Sequence, residues 1–145
     1  MGGTHAAGYQ RIADAQVVGY ADILPDRAQA FAGKYGGNAY PSVTDLLKAE
    51  SLDVVDICVP TPQHLPVAME CLERKIPTIM EKPLARTLED ARKLVASYEA
   101  AGVPLVPANV VRWFPEFVAA RAQLSAGAIG KPAVARITRG GREPG

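Results

Sequence analysis

The sequence predicts an α/β fold built on a doubly wound parallel sheet, and the stretch that indicates it most clearly is residues 52–85. This stretch has the pattern of a strand over residues 54–59, a helix over 64–74 and a second strand over 78–80. The first strand is a nearly continuous apolar run, which is typical of a parallel strand covered on both faces. A helix is the usual crossover between two parallel strands, so the stretch makes a complete βαβ unit.

The residues before this unit predict a similar alternation. A helical segment over residues 4–13 is followed by a short strand over 16–21 and by a helix over 25–35 that begins at a proline and ends at two glycines. Ser42, with an aspartate three residues later, resembles a capping box and predicts a short helix over 43–49. These elements supply one half of a doubly wound fold.

The residues after the unit continue the alternation. A threonine caps the start of a predicted helix over 87–101, and a strand over 103–108 follows. Two prolines in this strand cannot donate to a ladder, so we expect it at an edge of the sheet. A helix over 115–124 comes next, and residues 133–138 alternate like a further strand. Residues 140–145 show no periodicity.

Composition and charge limit the classes of function. With 145 residues, 48% of them hydrophobic, and a formal net charge of +1, the chain can form an ordinary core and has no excess of charge for gripping nucleic acid or an anionic membrane. No apolar run reaches the roughly 18 residues that a membrane helix needs, and no signal peptide is recognisable, so we expect a cytoplasmic protein with a small-molecule ligand. Cys58 and Cys71 are interpreted as buried apolar side chains rather than as a disulfide or a metal site.

The beginning of the chain carries part of a dinucleotide-binding pattern. That pattern is a strand, the glycines of G-x-G-x-x-G and a helix whose first N–H groups hold the pyrophosphate. Here Gly2 or Gly3 would be the last glycine, and the helix from Thr4 would be the phosphate-binding helix. Asp22 lies about 20 residues further on, after a strand, where an acidic side chain accepts hydrogen bonds from the adenosine ribose. The alternative is a flexible start followed by a surface aspartate in a turn.

Polar or bend-forming residues follow both strands of the central βαβ unit, and in an open α/β sheet such strand ends form the ligand crevice. Pro60 and Thr61 follow the first strand, and Glu81-Lys82-Pro83 follows the second. With the glycines at the start, these residues resemble the N-terminal half of the glucose-fructose oxidoreductase and inositol dehydrogenase family of nicotinamide-dependent oxidoreductases. The similarity extends over nearly the whole chain, to about residue 132.

The resemblance implies a set of cofactor-binding residues. Gly2 and Gly3 fall in the Gly-rich loop of the family. Asp22 falls on its ribose-binding acid, whose carboxylate would repel the 2′-phosphate of NADP, so NAD is favoured over NADP. Pro60 and Thr61 match the loop beside the nicotinamide half of the cofactor.

The most specific part of the resemblance is Glu81-Lys82-Pro83, which lies 17 positions after His64. Glu81 and Lys82 fall among the cofactor-binding residues, and Lys82 is implied to be catalytic because the family's lysine reaches both the nicotinamide ribose and the substrate hydroxyl. An ammonium group there can stabilise developing alkoxide charge. The alternative for this pair is a solvated Glu–Lys ion pair. His64 either contacts the cofactor or caps the helix that it begins.

Residues after the predicted edge strand complete the implied site. Asn109 and Arg112 match family positions near the nicotinamide and the mouth of the substrate pocket, and Trp113 and Phe114 offer an aromatic wall for a sugar ring. The alternative is a hydrophobic hinge between the cofactor domain and the next domain.

The resemblance also implies how the chain is divided. We expect an NAD(P)-binding Rossmann domain over residues 1–126 and the start of a C-terminal α/β substrate domain over 127–145. The chain reads as a piece of an enzyme, cut at both ends, with Met1 as an internal methionine of the Gly-rich loop. The intact protein is expected to be a homo-oligomer. His5 and His64 are the two histidines of the sequence, and neither matches the family's proton-transferring histidine.

The leading interpretation of function is therefore an NAD-dependent dehydrogenase that acts on a secondary alcohol of a sugar, cyclitol or related compound and uses no metal. One alternative is a noncatalytic dinucleotide-binding module or sensor. Another is an interaction scaffold, which would bind no nucleotide.

Overall fold

Helices and parallel strands alternate along the chain in the computed structural model, which describes residues 1–138 and 140. The chain forms two units, Met1–Ala108 and Asn109–Gly145. The elements of the first unit are α1 (Gly2–Tyr9), β1 (Gly19–Ala21), α2 (Pro25–Tyr35), β2 (Asn38–Tyr40), α3 (Val43–Ala49), β3 (Val55–Ile57), α4 (His64–Glu73), β4 (Thr78–Met80), α5 (Leu88–Ala101) and β5 (Leu105–Pro107). The second unit contains α6 (Pro115–Ser125), and short 3-10 helices cover Thr61–Gln63 and Val110–Trp113.

Local capping signals decide where several helices begin and end. The Ser42 hydroxyl accepts the N–H of Asp45 at 3.0 Å, and the Thr87 hydroxyl accepts the N–H of Asp90 at 3.1 Å. Each bond satisfies one of the N–H groups that a helix leaves free in its first turn. Gly102 ends α5 in the left-handed conformation, with φ of 66°. The predictions of α3 and α5 are confirmed.

The strands form two parallel sheets in the first unit. One has the order β1-β2 and the other has the order β3-β4-β5, with β5 at an edge as its prolines predicted. In the doubly wound order 3-2-1-4-5-6, β1 to β5 take the places of strands two to six, and the place of strand one falls between β1 and β3. Within residues 1–138, no ladder joins β1 to β3.

A buried cluster between the three-stranded sheet and helices α4 and α5 forms the main core. Polar groups inside it are paired, because the Tyr98 hydroxyl lies 2.7 Å from the carbonyl oxygen of Ala68 and 2.9 Å from the Thr78 hydroxyl. Cys71 is fully buried in the cluster, Cys58 is half-buried, and both are free thiols. Cys71 agrees with the predicted buried apolar side chain, whereas Cys58 does not, because it is only half-buried and its Sγ contacts His5 and Asp56.

Two predictions of elements fail where strand formation depends on distant partners. Residues 133–138 are not a strand, because alternation alone cannot form one without a ladder partner, and they have none in the described part of the chain. Residue 139 and residues 141–145 lie outside the described residues, so the absence of periodicity noted for residues 140–145 is not tested by the structure. The short strand β2 was not predicted at all. The predicted boundary after residue 126 stays a prediction.

None of the helices in the described ranges is both long enough and apolar enough to span a lipid bilayer.

Candidate functional site

The carboxyl ends of β3 and β4 lie side by side and bring two of the predicted segments together. The strands are parallel neighbours, and the N–H of Glu81 donates to the carbonyl oxygen of Ile57 at 2.9 Å, which extends the pairing one residue beyond β4. The chain after β3 passes through the exposed Pro60 into the 3-10 helix that Thr61 begins. Pro60, Thr61, Glu81 and Lys82 therefore follow adjacent strand ends of one sheet, as the sequence predicted.

Glu81 and Lys82 point to different environments. Glu81 is buried, with 6% of its surface exposed, and its Oε2 accepts the backbone N–H of Lys82 at 3.0 Å. The Lys82 side chain is exposed and makes no ion pair with any residue in the described part of the chain. The alternative of a solvated Glu–Lys ion pair is therefore wrong, because one partner is turned into the protein and the other outward.

A histidine on the predicted phosphate-binding helix joins Glu81 to β3. His5, on α1, has Nδ1 at 2.7 Å from Oδ2 of Asp56 and Nε2 at 3.1 Å from Oε1 of Glu81. The Tyr9 hydroxyl donates to the same Asp56 oxygen at 2.9 Å. We call His5, Tyr9, Asp56 and Glu81 the His5 network. Its signals in the sequence were an aspartate inside the apolar run of β3 and a tyrosine four residues after His5, on the same helix face.

Cys58 lies beside this network without being an activated thiol. Its Sγ is 3.4 Å from Nδ1 of His5. Burial, followed by the charge of Asp56 and the hydrogen bond to it, raises the pKa of the Cys58 thiol to about 12. His5, Asp56 and Cys58 each offer one possible metal ligand atom, all within 4.8 Å of one another. The same atoms contact one another, with Nδ1 of His5 2.7 Å from Oδ2 of Asp56 and 3.4 Å from Sγ of Cys58, so as they stand they form a hydrogen-bond network.

The start of α1 has the features of a phosphate-binding helix terminus. The helix begins at Gly2, and no side chain caps its first turn. An added Cβ at Gly2 would approach Cys58 Cβ to 3.6 Å, and one at Gly3 would approach the Phe31 ring to 3.8 Å. Free N–H groups at a helix N-terminus, together with the helix dipole, favour an anion there.

Asp22 follows β1 directly and is held in a defined position. Its backbone N–H donates to the carbonyl oxygen of Tyr40 at 3.2 Å, and its Oδ1 accepts the N–H of Leu24 at 2.8 Å. Within residues 1–138, Oδ2 has no hydrogen-bond partner. The carboxylate thus stabilises its own turn through one oxygen and can accept a ligand hydroxyl through the other.

His64 is fully occupied by the protein. Its ring is 1% exposed, with Nδ1 at 2.8 Å from the carbonyl oxygen of Pro83 and Nε2 at 3.0 Å from that of Val59. The Lys82–Pro83 peptide bond next to this contact is cis. The ring joins the two loops that follow β3 and β4. These contacts favour the structural alternative for His64 over contact with the cofactor.

Asn109, Arg112 and Trp113 belong to the second unit and are all exposed. Arg112 and Trp113 lie on the 3-10 helix Val110–Trp113, and the guanidinium carbon of Arg112 is 5.7 Å from the centre of the Trp113 ring. That distance allows a cation–π contact. The predicted contacts with nicotinamide and substrate, and the hinge alternative, stay predictions.

Residues 1–108 match the model of a family described as an oxidoreductase family with an NAD-binding Rossmann fold. This match covers well over half of the chain. The chain belongs to this oxidoreductase family. The resemblance noted from its motifs and the prediction of a doubly wound α/β fold are confirmed.

Relatives in this family include two bacterial sugar or cyclitol dehydrogenases. The chain is 34% identical to inositol 2-dehydrogenase of Rubrobacter xylanophilus over 138 residues, which is 94% of this chain and 40% of that protein. It is 35% identical to D-apiose dehydrogenase of Paraburkholderia graminis over 135 residues, which is 92% of this chain and 36% of that protein. The chain therefore spans about two fifths of the length of these relatives.

Two solved structures of oxidoreductases have the same fold as this chain. An NAD-binding oxidoreductase from Klebsiella pneumoniae matches with a TM-score of 0.85 and 30% identity, over 91% of this chain and 38% of that one. An oxidoreductase from Agrobacterium radiobacter, solved in complex with NAD+, L-tartaric acid and magnesium, matches with a TM-score of 0.81 and 29% identity, over 88% of this chain and 37% of that one.

Proposed function

We propose that the protein containing this chain is an NAD-dependent dehydrogenase that acts on a secondary alcohol of a sugar, cyclitol or related compound. The observation that carries the proposal is the exposed Lys82 side chain beside the ends of β3 and β4, on a backbone that the buried Glu81 holds. Family membership and relatives named as inositol and apiose dehydrogenases support the choice of reaction and substrate class.

The cofactor-binding part of the proposal assigns one task to each segment. The N–H groups of Gly2 and Gly3 at the uncapped start of α1 hold the pyrophosphate. Asp22 accepts a hydrogen bond from the adenosine ribose through Oδ2. Because a second negative charge beside this carboxylate is unfavourable, NAD is preferred to NADP.

The nicotinamide half of the cofactor is assigned to the ends of β3 and β4. Pro60, Thr61 and Glu81 shape the crevice there. The family resemblance alone assigns Asn109 and Arg112 to the cofactor. A bound nicotinamide supplies the hydride acceptor. His64 is assigned to holding the crevice loops together rather than to ligand contact.

The catalytic task falls to Lys82. Its ammonium group stabilises the negative charge that develops on the substrate oxygen as hydride leaves the carbon. Arg112 and Trp113 are assigned to the substrate, with the indole ring as an apolar face for a sugar or cyclitol ring. We also expect the complete protein to be a homo-oligomer.

A noncatalytic dinucleotide-binding module is the second candidate, and one observation favours it. Both histidines of the chain have their ring nitrogens engaged, His5 by two carboxylates and His64 by two backbone carbonyls. Neither is therefore free to accept a proton from a substrate alcohol, and the dehydrogenase needs such a group from outside this chain.

The test is cofactor reduction by the full-length protein with a panel of cyclitols, aldoses and sugar acids, each assayed with NAD+ and with NADP+. We expect turnover with at least one polyol and preference for NAD+. Replacing Asp22 by alanine is expected to raise the KM for NAD+ and relax the discrimination against NADP+ with little change in kcat. Saturable NAD+ binding without turnover on any of the panel would support the noncatalytic module instead.

A further inference from the structure

The His5 ring bridges two carboxylates that belong to different strands. Nδ1 is 2.7 Å from Asp56 on β3, and Nε2 is 3.1 Å from Glu81 after β4. An ionised carboxylate can only accept hydrogen bonds, so both contacts are hydrogen bonds only when both ring nitrogens carry a hydrogen. The arrangement therefore suits an imidazolium held between two negative charges, and such charge-assisted bonds are stronger than neutral ones.

The ring is held firmly from the side of Asp56. The Tyr9 hydroxyl donates to the same Asp56 oxygen at 2.9 Å, and the pKa of Tyr9 is raised by burial and by the hydrogen bond to Asp56, so the hydroxyl remains a donor. Cys58 also faces the ring and stays a neutral thiol. The groups that surround His5 are thus Tyr9 from α1, Asp56 from β3, Cys58 directly after β3, and Glu81 after β4.

Glu81 transmits this fixed position to Lys82. Its Oε1 faces His5, while its Oε2 accepts the backbone N–H of Lys82 at 3.0 Å. Since the side chain is buried, each oxygen depends on its protein partner, and rotation of the carboxylate would break both contacts together. Removing the ring would leave one oxygen of a buried carboxylate without a donor, so the side chain would turn to reach water and release the Lys82 N–H.

We propose that His5 is a positioning residue that fixes the backbone at Lys82 through Glu81. The effect on catalysis rests on the proposed function of Lys82, whereas the effect on the Lys82 backbone does not. Neither the family assignment nor the motif around Lys82 assigns this role to a residue on α1.

The first test measures the Lys82 amide directly, in full-length protein labelled with 15N-lysine. In His5→Phe, which keeps a ring but no donor, we expect hydrogen exchange at the Lys82 N–H to rise about tenfold, as the loss of a hydrogen bond to a charged group implies. The matched control is Gly8→Ala, at an exposed position on the same helix with nothing within 4 Å of the added methyl. Its Lys82 exchange should equal that of the wild type.

A second variant decides the matter even if His5→Phe does not fold. In His5→Ala the whole ring is removed, so Oε1 of Glu81 again loses its donor, and hydrogen exchange at the Lys82 N–H should rise by a similar factor. A Lys82 exchange rate equal to that of the wild type in a folded His5 variant would overturn the proposal.

Kinetics give the catalytic consequence. We expect His5→Phe to lower kcat about tenfold while the KM for NAD+ stays within about threefold, because the loss acts through the placement of Lys82. In Glu81→Gln, the amide oxygen can keep the Lys82 contact while its NH2 group donates to a neutral ring, so kcat should be retained better than in His5→Phe. Faster hydrogen exchange at the Lys82 N–H without any fall in kcat would contradict the claim that His5 affects catalysis. A wild type without turnover refutes the proposed function, and the amide measurements still decide the role of His5.

Discussion

Replacing His64 by alanine removes a ring that is 1% exposed and that holds the loops after β3 and β4 together. If the role of His64 is structural, the substitution should lower the stability of the cofactor domain. It should leave the intrinsic affinity for NAD nearly unchanged. If His64 instead contacts the cofactor, the substitution should weaken NAD binding and change the stability of the domain little.

The structure allows the size of the stability loss to be estimated. An imidazole in either tautomer donates one hydrogen, so one of the two carbonyl oxygens, of Val59 or Pro83, loses its donor, and an unsatisfied buried polar group costs about 1 to 3 kcal/mol. Truncation of a large buried side chain to alanine adds a cavity term of about 2 kcal/mol or more. Water entering the vacated space would recover part of both terms, so we expect a net loss of about 3 to 5 kcal/mol in the free energy of unfolding.

The assay is urea unfolding of the full-length protein followed by circular dichroism, together with the KM for NAD+. The matched control is Gln63→Ala, at the exposed neighbouring position whose side chain does not cap α4; it should change stability by less than about 0.5 kcal/mol. The reasoning is refuted if His64→Ala costs less than about 1 kcal/mol while the KM for NAD+ rises about tenfold.

Three further predictions concern the fold. Gly37 has φ of 89°, and an added Cβ would lie 2.9 Å from the Val18 carbonyl oxygen. Gly37→Ala should therefore lower the free energy of unfolding, measured in urea, by about 1 to 3 kcal/mol. The control is Gly33→Ala, which has nothing within 4 Å of the added methyl and should stabilise α2 slightly. Burial raises the pKa of Cys58 from 9.0 to about 12, so the thiol ionises at lower pH in the unfolded chain than in the folded one. The stability that this thiol contributes is complete below pH 9.0 and is lost as the pH rises towards 12. In Cys58→Ala the urea concentration at the unfolding midpoint should therefore fall less steeply with rising pH. An N-terminal extension that supplies a strand of about five residues between β1 and β3 should sharpen thermal unfolding of the 145-residue chain and allow NAD to raise its midpoint, whereas an equally long Gly-Ser extension should do neither.

Local signals explain which parts of the fold could be predicted from the sequence. Helices α2, α3 and α5 carry their start signals within a few residues, in Pro25, Ser42 and Thr87, and their observed bounds agree closely with the predicted ones. Strand β2 was missed, and residues 133–138 were wrongly predicted as a strand. In both cases the outcome depends on a distant ladder partner rather than on the local pattern.

The candidate site likewise has features that the local sequence predicts and features that depend on distant residues. That Glu81 and Lys82 follow a strand end could be read from the sequence, since the strand was clearly bounded. The inward turn of Glu81 could not, because it depends on His5, 76 positions earlier in the chain. Asp56 likewise gained meaning only when α1 was seen to pack against β3, which brings residues 51 positions apart to hydrogen-bonding distance.

The measurement that tests the central claim most directly is kcat of Lys82→Ala in the full-length protein, with its best polyol substrate and saturating NAD+. The control is Lys93→Ala, which removes another exposed lysine, on α5. If Lys82 stabilises charge on the substrate oxygen, its loss should lower kcat by about 100-fold or more, with the KM for NAD+ within about threefold, and the Lys93 variant should match the wild type. A Lys82→Ala enzyme whose kcat stays within about twofold of the wild type would contradict the account.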